Sequence, residues 1–132
     1  MKRVLLILGG IFNTIFFLFH IFLGYRIQHI PSLQPNVLGM LQALNVAGVL
    51  LMLFFAVASF FMQHDLTETK LGRTVLGLVV LVFASRAVEE FFLFRFNLSI
   101  FISCLVVAVV YAAVLVVSLR AAPQPRTMKA AA

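Results

Sequence analysis

The stretch GRTVLGLVVLVFASRAVEEFFLF, residues 72–94, decides the fold. It is long enough to cross a hydrocarbon core of about 30 Å at 1.5 Å per helical residue. It also carries Arg86, Glu89 and Glu90 in its second half. A soluble helix would spread such charges over a solvated face. A membrane span must turn them inward and give them partners, because lipid cannot solvate them. The choice between the two rests on what flanks this segment.

Three other apolar runs accompany it, at about residues 4–25, 37–61 and 99–119. Each is roughly 20 residues or more, again the length of a span. Hydrophobic residues make up 64% of the 132-residue chain and charged residues 11%. Soluble domains average about 45–50% and 25%. A chain this short has no interior large enough to hide that much apolar surface, so lipid is its expected solvent. The runs are continuous rather than alternating, which favours helices over barrel strands. The expected fold is therefore all-α: an integral membrane four-helix bundle, up-down-up-down, with four transmembrane helices.

The first run is not read as a signal peptide. It is longer than the roughly 7–15 residues of a signal core, and no alanine precedes Ala43 to supply a cleavage site. Between the first two runs lies a connection, residues 26–36, broken by Pro31 and Pro35. MQHDLTETKL, residues 62–71, is the one clearly hydrophilic internal loop, with Thr67 as the expected N-cap of the third helix and Glu68 in its first turn. Residues 95–98 are expected to form a tight turn containing Asn97. One transmembrane domain, 1–119, is followed by a basic Ala/Pro-rich tail, 120–132, expected to be disordered.

The formal charge of +6 is divided unevenly among the connections. Lys2, Arg3, Lys70, Arg73, Arg120, Arg126 and Lys129 fall on one side, against Arg26 and Arg95 on the other. Positive charge is retained in the cytoplasm, so both termini are expected there. A bacterial inner membrane is the favoured location. The same scatter of basic residues along span ends argues against nucleic-acid binding and for contact with lipid headgroups.

Helical periodicity then places the polar groups. Gly9, Asn13, Phe17, His20 and Gly24 share one stripe on the first helix. Gln42 and Asn45 share another on the second, with Val49 and Met52 below them. Gly39, Ala43 and Ala47 form a separate face of small residues on the second helix, a helix-packing signal for a protein partner or a second copy. On the third, Arg86 can reach Glu89 and Glu90 at three and four residues' spacing. Cys104, Tyr111 and Ser118 recur every seven residues on the fourth, with Ser103 beside them. Counted at 1.5 Å per residue, His20, Gln42, Asn45, Arg86, Ser103 and Cys104 all lie about 6–12 Å inside the outer ends of their helices. The inner half has almost nothing comparable. An outer polar cluster is thus expected, and His20, Gln42, Asn45, Arg86, Glu89 and Glu90 are its candidate ligand-binding residues.

Each feature has a plainer reading. Arg86 with its glutamates can be an internal ion tie as readily as a ligand site. Asn13, Gln42 and Asn45 fit interhelical hydrogen bonds better than catalysis. A pairing of His20 with Glu90 would suit proton transfer. A bis-His haem is disfavoured, because His29 and His64 fall in connections on opposite sides. One cysteine gives no intramolecular disulfide, and no Cys/His spacing suits a metal. No cofactor is expected, and no P-loop, dinucleotide or nucleophile-elbow pattern occurs.

The leading functional expectation is a small non-catalytic membrane protein that binds a lipid or hydrophobic ligand, or serves as an accessory subunit of a membrane complex. The balance of features is against an enzyme. The main alternative is a membrane enzyme or redox component acting on a lipid or quinone-like molecule, with Arg86 holding the head and Glu89, Glu90 or His20 moving protons. In size and helix count the chain also resembles the small multidrug resistance transporters, which implies a proton-coupled, dimeric transporter. That family's first-helix glutamate is replaced here by Asn13 and His20. The general four-helix architecture resembles DoxX-like proteins, without a specific motif.

Overall fold

The computed structural model describes residues 1–92 and 96–121. The described residues are helical: α1 (Lys2–Gln28), α2 (Pro35–Phe61), α3 (Gln63–Glu68), α4 (Lys70–Phe92) and α5 (Leu98–Arg120). Three of them, α1, α2 and α5, are long and apolar enough to cross a membrane. The fourth long helix, α4, is not among those three, and it is the one that carries Arg86, Glu89 and Glu90. Residues 93–95 and the expected disordered tail from 122 onward lie outside the described residues.

Local chemistry explains the helix limits. Pro35 starts α2 at a position where its missing N–H goes unnoticed. The Asn97 side chain caps α5, accepting from the N–H groups of Ser99 and Ile100 at 3.1 and 3.3 Å. Two expectations for residues 62–71 are overturned. The hydrophilic loop is largely a helix, α3, and Thr67 is not the cap of the next one. Its hydroxyl donates back to the Gln63 carbonyl at 3.1 Å, as mid-helix threonines do. The cap of α4 is Thr69, whose Oγ1 accepts from the Gly72 N–H at 2.8 Å. Two threonines two residues apart are equivalent to a sequence reading that places no turn between them.

Two antiparallel hairpins, α1/α2 and α4/α5, make the framework. Pairings such as His20 with Asn45 and Gly24 with Gln42 fix the register of the first. The hairpins join through α1 and α5, whereas α2 and α4 have no comparable backbone contact. The fourth side of the framework is therefore splayed. At one end α3 lies across the bundle and touches all four long helices, with Leu66 and Thr67 buried. We refer to this as the α3 end.

Burial follows the same asymmetry. On α1 the buried residues are Leu6, Gly9, Gly10 and Asn13 near the α3 end, then none until Ile27. On α2 they run from Met52 to Ser59, with Asn45 alone beyond. On α5 they begin only at Cys104. Leu76, Val79, Val107, Tyr111 and Val114 form the centre of the core with almost no exposed surface. Meanwhile α1, α2, α4 and α5 all expose large apolar side chains, among them Ile15, Leu50, Leu81 and Val109.

A buried polar tie sits in this closed half, contrary to the expectation that it would hold almost nothing polar. Tyr111 of α5 accepts from Asn13 Nδ2 at 2.8 Å and shares a hydrogen with Ser59 of α2 at 2.5 Å. All three residues are buried, and together they join three helices. Gly9 makes room for the ring: a Cβ there would lie 2.6 Å from Tyr111 Cζ.

Candidate functional site

The polar residues of the other half fall into two groups that the sequence presents as one. The first group zips α1 to α2. Gln42 Nε2 donates to the Gly24 carbonyl at 2.8 Å, and Asn45 Nδ2 donates to the His20 carbonyl at 3.0 Å. Asn45 Oδ1 then lies 3.1 Å from His20 Nδ1. Glycines on each helix permit this approach, since a Cβ on Gly24 would meet Asn45 Nδ2 at 2.6 Å and one on Gly48 would meet His20 Cε1 at 2.9 Å. Gln42 and Asn45 are thus interhelical ties, satisfying backbone groups of the neighbouring helix. His20 is both a tie and part of a wall described below.

The second group is Arg86 with its two glutamates, and the structure separates their roles. Glu90 is buried, its side chain 2% exposed, with Oε1 2.5 Å from Arg86 Nη2. That contact is an ion pair rather than a well-directed hydrogen bond. Its other oxygen accepts from the Asn97 N–H at 3.3 Å, so Glu90 fastens α4 to the start of α5. Glu89 is 43% exposed and lies 3.7 Å from Arg86 Nη1, too far for a hydrogen bond. Glu90 is the structural carboxylate and Glu89 the accessible one. The expected pairing of His20 with Glu90 is not made: His20 is engaged with Asn45, and Glu90 with Arg86 and Asn97.

Between the hairpins, where packing fails, lies a cleft of about 760 Å³. Its walls are mostly apolar: Phe12, Phe16, Phe19 and Leu23 from α1, Leu51 and Met52 from α2, Val82 and Phe83 from α4. Ile15 and Phe19 are exposed at its rim. Polar groups enter from three helices: His20 from α1, Arg86 and Glu89 from α4, Ser99, Ser103 and Cys104 from α5. Its volume is that of an ordinary small-molecule site, commonly about 300–1,000 Å³. Of the candidate residues, His20, Arg86 and Glu89 line it, whereas Gln42, Asn45 and Glu90 stand outside. From sequence the Phe-rich run Ile15–Phe22 reads as lipid contact and packing rather than a ligand cage, whereas Phe16 and Phe19 of that run line the cleft.

The small-residue face lies elsewhere. Gly39, Ala43 and Ala47 are exposed, and nothing approaches within 4 Å of a Cβ placed on Gly39. No group of three His, Cys, Asp or Glu capable of holding a metal occurs among the described residues.

Fold and cleft together define a class: an all-helical protein with three helices able to cross a membrane and a mostly apolar cleft edged by an ion cluster. No protein-family model, curated protein or solved structure matches the chain.

Proposed function

We propose that the protein is a four-span, multi-pass membrane protein, with both termini cytoplasmic, that binds a lipid or other hydrophobic ligand in the cleft between its hairpins. Membrane insertion is supported by the exposed apolar side chains on all four long helices, at most a third of each candidate span being buried within the protein. In this reading α4 is the fourth span. Its charges lie on the side facing the cleft and α5, while Leu78, Leu81 and Val88 face outward. The orientation follows from Lys2, Lys70, Arg73 and Arg120 gathering at the α3 end, where Lys2 contacts Glu68. The open end then belongs to the outer leaflet.

The observation that carries the reading is the cleft itself. Its apolar walls accept a hydrophobic body, its rim is open, and a charged cluster at one edge can orient a polar end. Partner docking through Gly39, Ala43 and Ala47 is a second reading, favoured by their exposure.

The test is to purify the protein in a mild detergent and identify co-purifying small molecules by mass spectrometry, beside Leu51→Trp, which fills the cleft. A hydrophobic molecule held by the wild type and lost from an equally stable variant is expected. Identical profiles from the two proteins would remove the cleft as a ligand site.

A further inference from the structure

The cleft's polar groups differ in what they can still bond. Arg86 is the principal donor, and two carboxylates already face its guanidinium. Of the two carboxylates, Glu89 lines the cleft and is the more loosely held.

Beside the donors Ser99 and Cys104, two further groups on the cleft wall present acceptors. Asn45 spends its amide N–H on the His20 carbonyl, which fixes the orientation of its side chain. Its Oδ1 must then receive a hydrogen from His20 Nδ1. In the neutral imidazole this tautomer leaves Nε2 as a lone-pair acceptor on a ring that lines the cleft. Ser103 donates its hydroxyl hydrogen to the Ser99 carbonyl at 2.8 Å, so its oxygen too is left to accept. A carboxylate, an imidazole nitrogen and a hydroxyl oxygen thus edge an apolar cleft. None of them offers a hydrogen.

We infer that the cleft selects a small amphiphilic amine: an apolar body ending in a protonated primary amino group. Such a head supplies the three N–H donors and the positive charge that these groups lack. Anionic amphiphiles are disfavoured, because they would meet Glu89 while Arg86 is already compensated. Aminophospholipids are disfavoured for the same reason: their phosphate lies close to the ammonium and would enter the same ring of acceptors. The inference rests on the cleft being a ligand site and adds the chemistry of the ligand's head.

The test uses the full chain in neutral detergent and three probes of one chain length: dodecylamine, dodecanol and dodecanoate. Occupancy is read by native mass spectrometry for the wild type and Glu89→Gln, whose ratio cancels micelle partitioning. The amine-to-alcohol ratio is expected to be about tenfold higher in the wild type than in the variant, one lost charge-assisted contact. Dodecyltrimethylammonium, with the charge but no N–H, should bind less than the amine. Ser103→Ala should lower the amine preference in the same direction, which keeps the test decisive if Glu89→Gln misfolds. Preference for dodecanoate, or a ratio unchanged in both variants, would overturn the amine inference while leaving the cleft as a hydrophobic site. No binding of any probe, with Leu51→Trp indistinguishable from wild type, would overturn both.

Discussion

The two halves of this molecule are built from the same four long helices and are packed in opposite ways. At the α3 end, α3 crosses the bundle, Tyr111 is fastened between Asn13 and Ser59, and the core is closed. At the other end buried residues thin out on α1, α2 and α5, and a cleft of about 760 Å³ takes the place of a core. Polar residues occur in both halves. In the closed half they bond to one another across three helices. In the open half they divide between backbone ties and a group facing the cleft. The comparison teaches that a polar residue inside an apolar bundle signals function only when packing leaves it something to face.

The sharpest way to break the contrast is to open the closed end. Gly72 sits where α4 begins under α3, and a Cβ there would lie 2.0 Å from the Asp65 carbonyl oxygen and 2.5 Å from Leu66 Cα. Both obstacles are backbone, so no rotamer can relieve them. Gly72→Val is expected to dislodge α3 and to cost about 3 kcal/mol or more, the upper range for overpacking. Thermal unfolding in detergent measures the loss, and protease sensitivity of residues 63–68 locates it. A variant as stable and as resistant as the wild type would mean that α3 does not hold this end together.

A smaller change probes the tie itself. Tyr111→Phe keeps the ring against Gly9 but leaves Ser59 Oγ and one Asn13 N–H without the hydroxyl that they share. The expected cost is about 1–3 kcal/mol, the usual penalty for an orphaned buried polar group. Ser103→Ala is the matched change in the open half, and it should leave thermal stability unaltered, since it removes a bond to a carbonyl on its own helix. Equal losses from the two variants would erase the distinction between the halves.

Much of this was legible in the sequence, for identifiable reasons. Long helices announce themselves by length and apolarity, and the four apolar runs lie within about three residues of α1, α2, α4 and α5, of which α1, α2 and α5 are long and apolar enough to cross a membrane. The inward stripes were readable because 3.6-residue periodicity fixes direction: Gly9, Asn13, Asn45, Met52, Glu90 and Tyr111 are all buried. Periodicity gives no distances between helices. It could not tell that Glu90 caps a junction while Glu89 faces a cleft, because neighbours on a helix differ by only 100°. Nor could it foresee that Asn13 and Ser59 meet on Tyr111, since a lone serine or tyrosine carries no pairing signal. Residues 62–71 read as a loop because their polarity outweighs six residues of helical propensity.

The smallest expected effect tests how α3 is pinned. Lys2 Nζ lies 3.3 Å from Glu68 Oε1, tying the start of α1 to α3. The hydrogen bond and charge of Lys2 hold the Glu68 carboxyl below its ordinary value. A carboxyl whose pKa is lowered by folding stabilises the fold above its unfolded value, about 4.3 for glutamate. That contribution is lost as the pH falls through the lower, folded value. Wild type minus Glu68→Gln should therefore show a small positive difference in Tm at neutral pH, vanishing in strong acid. Exposed pairs are screened, so high salt should erase the same difference at pH 7. If the difference persists in acid and in salt, it does not arise from the ion pair, and the closed end owes nothing to that charge pair.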